Sequence, residues 1–225
     1  MQALRGAYAG LLVSAALILG GCDRGSEAEA APTAGPPPSW LSPTVAVVFF
    51  DEGSGREVPG SWAGVDAALR AQPGFQRNLL FGAQQSEHPY VSFVVWDDAE
   101  ALASALAAPT VREKLVADVA AGTYERAEHR GDVSEAGAAV TIVPITGSVG
   151  DMEEKFRQAS AWFARREGFL GALLLRRVAG ATAPYVLVAR WSSADAFAGV
   201  TADRDFPLHT SGVEGILGTY VPVTP

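Results

Sequence analysis

The sequence predicts an α+β chain in which one β-α-β-β-α-β unit is used twice, the two copies packed sheet to sheet. Three observations predict it. Short anchors recur in the same order at a nearly constant offset. Each copy passes through the same series of β-rich and helical periodicities. Two helices cover only one face of such a sheet, so the other apolar face needs a second layer, which a second copy supplies.

The anchors are pairs. Gly74-Phe75 matches Gly168-Phe169 at offset 94, and Pro89-Tyr90 matches Pro184-Tyr185 at offset 95. Trp96 matches Trp191 at 95, and Gly122-Thr123-Tyr124 matches Gly218-Thr219-Tyr220 at 96. The drift is what small loop insertions produce, and a long-period repeat of this kind is read before any single element.

Each copy opens on a β-rich run, Thr44 to Phe50 and Val140 to Ile145. A helix follows: Met152, Phe156, Ala159 and Phe163 fall on one face, and Trp62, Val65 and Leu69 mark a shorter version. Ser148-x-x-Asp151 reads as its capping box in the second copy. Two strands come next, 75–83 with 89–96 and 169–178 with 184–191, each pair a hairpin with a longer turn. A second helix starts after the Trp, with Asp97-x-x-Glu100 and Ser192-x-x-Asp195 as its N-terminal boxes. Gly-Thr-Tyr opens a last strand. The plan is the ferredoxin-like split β-α-β, expected over 44–130 and 138–225 with a linker at 131–137.

The first 43 residues read differently. Arg5 precedes an apolar run from Ala7 to Leu19. Thirteen residues at about 1.5 Å each span roughly 20 Å, too short for a hydrocarbon core of about 30 Å. This is the pattern of an export signal, expected over 1–21. Leu19-Gly20-Gly21-Cys22 resembles a bacterial lipobox, which implies a lipidated Cys22 and a chain anchored to the cell envelope by lipid. Cys22 is the chain's one cysteine, so no internal disulfide is possible. Residues 22–43, rich in Pro, Ala, Gly, Ser and Glu, read as a disordered tether. Without the leader, 25 acidic residues stand against 16 basic ones, a net charge of −9. Such a surface repels phosphate backbones and argues against a nucleic-acid partner.

"EGFLGALLLRR" and "APYVLVARWSSADAF" in the second copy resemble the antibiotic biosynthesis monooxygenase family of dimeric α/β barrels. "PGFQRNLLFGAQQSEHPYVSFVVWDDAEAL" in the first resembles it in outline. Members usually pair two chains, so the resemblance implies a monomer carrying an internal pseudo-dimer. It also implies a pocket for a small apolar or aromatic ligand and, in part of the family, cofactor-free oxygenation. Other members degrade haem with a His, a Trp and an Asn on the first strand. Neither opening run here holds an Asn; the chain's one Asn is Asn78.

The residues expected to carry chemistry are Trp191, Tyr185, Arg190 and His209, with Trp96 and Tyr90 as ligand contacts. Each has a plainer reading. The tryptophans serve equally as anchors between strand and helix, and Arg190 as a solvated strand end. Tyr90, Tyr124, Tyr185 and Tyr220 are duplicated, which favours a structural role, because core positions persist in both copies whereas a site needs only one. No His pair has metal-ligand spacing, so neither a metal nor a cofactor is expected. A non-catalytic ligand-binding or assembly module at the envelope is the competing reading.

Overall fold

The computed structural model describes residues 44–50, 58–114, 120–133, 139–147, 150–180 and 183–223. The expected leader, Cys22, the tether and Ser148 lie outside the described residues.

The first copy runs β1 (Thr44–Phe50), α1 (Val58–Arg70), β2 (Phe75–Gln85), β3 (Tyr90–Trp96), α2 (Ala99–Ala107), α3 (Pro109–Arg112) and β4 (Ala120–Gly131). The second runs β5 (Ala139–Ile145), α4 (Met152–Phe163), β6 (Phe169–Gly180), β7 (Tyr185–Trp191), α5 (Ala194–Thr201), α6 (Phe206–Thr210) and β8 (Gly218–Val223). The strands close into one barrel in the order β1-β3-β2-β8-β5-β7-β6-β4. Each half is thus a four-stranded sheet, β4-β1-β3-β2 or β8-β5-β7-β6. The two sheets face each other and are also joined edge to edge through β2–β8 and β4–β6. Closure satisfies every sheet edge, which no arrangement of two open sheets does.

Strand alternation sorts the side chains into three layers. Val45, Val47 and Phe49 point into the barrel with Phe81, Phe93, Leu173 and Val188. Their neighbours Val48 and Phe50 point outward, under α1 and α2. In the second half Leu174, Ala189 and Trp191 point outward, under α4 and α5. Val133, just past β4, is buried in the barrel cluster. Val45, Val47, Phe81, Phe93, Tyr124 and Val186 have 0 % exposure, so no water-sized void touches them from inside or outside. The pocket expected between the two sheets is filled by side chains.

The repeat anchors have backbone reasons. Gly74 and Gly168 sit at φ +78° and +81°, where a Cβ would collide with the methyl of Ala101 or Ala196. Their carbonyls accept from Asp97 N at 2.9 Å and Ser192 N at 2.8 Å. Pro89 and Pro184 accept in the same way from Ala83 N and Arg177 N.

Three expectations change. The N-caps are Asp98 and Ser193, one residue later than read, each accepting from the backbone N–H three residues on. Asp97 and Ser192 are bends just past the strand ends, each held by the carbonyl of its glycine. α4 starts from Asp151, in the left-handed region at φ 58° and without a side-chain cap. α1 has 13 residues against 12 in α4, so it is not the shorter helix.

Candidate functional site

The expected site residues do not converge. Trp96 and Trp191 have 0 % exposure and lie between sheet and helices, one in each half. Each is an anchor: Trp96 packs edge-on to Phe75 at 5.7 Å, and Trp191 lies against Phe163, Phe169 and Phe197. Tyr90 and Tyr185 are half-buried at the opposite ends of the same strands. Each lies six positions from its Trp, about 20 Å of extended chain. Arg190 is only 4 % exposed rather than solvated. Its guanidinium donates to the Asp132 carbonyl and lies 3.7 Å from the Asp132 carboxylate, so the charge is held at one end of the barrel. His209 is exposed on α6 and stacks on Trp162 at 4.7 Å, outside the barrel. Arg166 lies over the same indole at 4.1 Å.

The duplicated last-strand tyrosines tie the halves together. Tyr124 donates to the Ala183 carbonyl in the second half at 3.1 Å, and the Tyr220 hydroxyl lies 2.7 Å from Ser86 Oγ in the first. Burial pushes the Tyr124 phenol up to about 12, against a smaller opposing pull from Arg177. Burial also raises Tyr220, which its bond to Ser86 partly offsets. These are structural phenols, neutral at any ordinary pH.

A different set of groups does come together, in the layer between α1 and the sheet of the first half. Ser92 Oγ donates to Asn78 Oδ1 at 2.7 Å, and Asn78 Nδ2 donates to Asp66 Oδ1 at 2.8 Å. Arg70 Nε donates to Asp66 Oδ2 at 2.5 Å from the helix surface. Asp66 and Asn78 are each 8 % exposed and Ser92 is fully buried. The carboxylate fixes the amide, and the amide oxygen accepts the hydrogen bond from the serine hydroxyl. Ser92 is thereby left with lone pairs, able to accept from a ligand hydroxyl.

In the same layer Trp62 Nε1 and Trp96 Nε1 are buried, and neither has a hydrogen-bond partner among the described residues. An orphaned buried donor costs about 1–3 kcal/mol. Two of them in the layer that also holds a buried polar chain mark it as more than a packing surface. Sequence reading missed this chain because its members lie on α1, β2 and β3. The available signal was the comparison of the two copies, taken up below.

α1, which covers the layer, is weak by composition. It contains Gly60 and Gly64, each exposed with nothing within 4 Å of an added Cβ, so neither is there for packing. Interior glycine costs about 1 kcal/mol relative to alanine.

The antibiotic biosynthesis monooxygenase family model matches residues 44–114. That segment runs from β1 to just past α3 and contains the buried chain. The residue likeness was fuller in the second copy, yet this match falls on the first. No curated protein matches the sequence. Among solved structures, an anthrone oxidase-like protein superposes with TM-score 0.65 at 15 % identity, over 82 % of this chain and 92 % of its own. A candidate monooxygenase from Fusobacterium nucleatum gives 0.55 at 11 %, over 82 % and 94 %. A regulator of staphylococcal pathogenesis gives 0.52 at 13 %, over 80 % and 99 %. An oxidase-like protein and a regulator share this architecture, so likeness at such identities speaks for the fold alone. Residues 44–114 match the antibiotic biosynthesis monooxygenase family model, and the described chain folds as a pseudo-dimeric α/β barrel of two like halves closed into one eight-stranded sheet.

Proposed function

We propose that the protein is a cofactor-free monooxygenase of small phenolic aromatic substrates whose site is the helix–sheet layer of the first half. The observation that carries the reading is the pair of buried indole N–H groups, unpartnered among the described residues, in the same helix–sheet layer as the Ser92–Asn78–Asp66 chain. Indole donors suit the oxygen of a phenolate or enolate, where negative charge grows as the substrate is deprotonated. Ser92 suits a substrate hydroxyl. The anthrone oxidase-like neighbour suggests a probe class: a tricyclic phenol with a doubly benzylic CH2. In that chemistry dioxygen converts CH2 to C=O. One oxygen atom enters the carbon and the other leaves as water with the two hydrogens. The substrate supplies all four electrons, and the protein's share is orientation and stabilisation of the anion.

The layer is closed, with Trp96 inaccessible, so admission requires α1 to lift from the sheet. Its two unpacked glycines favour that movement. Dioxygen uptake with dithranol, a dihydroxylated anthrone, tests the reading. Consumption above the spontaneous rate that falls at least tenfold in both Trp62→Phe and Trp96→Phe supports it. Uptake indifferent to both variants refutes it. The filled barrel interior favours a second reading, a ligand-binding module without turnover; tight anaerobic binding with no added uptake would select it. We place the protein in the cell envelope, held by lipid on Cys22 as the lipobox likeness implies.

A further inference from the structure

We infer that the two halves have divided their labour: the chain has one ligand site, in the first half, and the second half is a filled copy that completes the barrel. This rests on the reading of the helix–sheet layer given above. The ladders align the halves position by position. Asn78 lies opposite Val94, and Ala172 opposite Ala189; Ser92 lies opposite Leu80, and Leu187 opposite Leu174. Ala172 and Leu187 are therefore the counterparts of Asn78 and Ser92. On the covering helices the buried sets Trp62-Val65-Leu69 and Phe156-Ala159-Phe163 share their spacing, which makes Ser160 the counterpart of Asp66.

Every group that asks for a ligand in the first half is removed or satisfied in the second. Phe156 has no N–H where Trp62 has one. Trp191 keeps its indole, but Nε1 donates to Thr141 Oγ1 at 3.3 Å, and Thr141 stands where the first half has Ala46. Ser160 accepts from Arg130 Nε at 3.0 Å and serves the fold. The glycines that loosen α1 become Glu154 and Gln158 in α4, and both join side-chain hydrogen bonds along the helix. All of these positions point the same way. A pair of sites kept by duplication would show the polar chain twice.

The experiment is an anaerobic calorimetric titration of the full chain with dithranol, with circular dichroism confirming that each variant is folded. One equivalent per chain is expected, weakened at least tenfold by Trp62→Phe and held within twofold by Phe156→Leu. Two equivalents, or a tenfold loss in folded Phe156→Leu, would overturn the division of labour while leaving the layer as the binding site. No binding by the wild-type chain would remove the layer reading, and this inference with it.

Discussion

Replacing Asn78 by alanine removes the middle of the buried chain and tests what the chain is for. The substitution deletes the 2.8 Å bond to the Asp66 carboxylate and the 2.7 Å bond from Ser92. A bond to a charged group is worth about 1.5–3 kcal/mol and a neutral one about 0.5–1.5, and both former partners stay buried. The expected loss is about 2–4 kcal/mol, roughly 5–15 °C in Tm for a chain of this size. The triple variant Asp66→Ser, Asn78→Ala, Ser92→Leu installs the second half's residues at all three positions. It removes every member of the chain that would otherwise be left buried without its partner, and Arg70 is exposed enough to be solvated. Removing all partners together is close to neutral, so this variant should lie within about 1 kcal/mol of wild type and bind no dithranol. Urea denaturation followed by circular dichroism measures both. A triple variant as unstable as the single one would refute the reasoning, because the chain would then be required by the fold and not retained for a ligand.

Further outcomes follow from the same structure. Gly64→Ala should stabilise the chain by about 1 kcal/mol and slow dithranol association in stopped-flow; faster association would contradict an opening role for α1. Tyr124 and Tyr220 should resist tyrosinate formation in an alkaline absorbance titration. Their folded pKa values lie above the unfolded value of about 10, so their stabilising contribution is complete below pH 10. It is lost as pH rises through about 12 for Tyr124. Ionisation of Tyr124 and Tyr220 near pH 10 in the folded protein would contradict the burial argument. Cys22→Ser should abolish incorporation of labelled palmitate in the producing bacterium, and label retained in that variant would remove the lipid anchor.

The fold was legible because duplication wrote its constraints twice. Gly74 and Gly168 recur because only glycine fits a left-handed turn against a helix methyl. Trp96 and Trp191 recur because each fills a sheet–helix layer. The caps were misplaced by one residue because Asp97-Asp98 and Ser192-Ser193 offer two equivalent side chains, and only the backbone bond to the glycine carbonyl separates them. α3 and α6, of four and five residues, are too short to show a period. The edge-to-edge seams were also silent, since alternation reports which face is buried and not which edge is paired. The site was hidden for the opposite reason to the fold. Asp66, Asn78 and Ser92 occur in one copy alone, so a search for recurring anchors passed over them. Arg190 looked like a solvated strand end because its partner, Asp132, comes from the segment joining the copies.

The most direct measurement is the indole N–H spectrum of the protein carrying isotope-labelled tryptophan, recorded with and without dithranol under nitrogen. Hydrogen bonding to a ligand oxygen should move the Trp62 and Trp96 signals downfield and leave Trp191, already bonded to Thr141, in place. Shifts at Trp191 with Trp62 and Trp96 unmoved would contradict a ligand site in the first half.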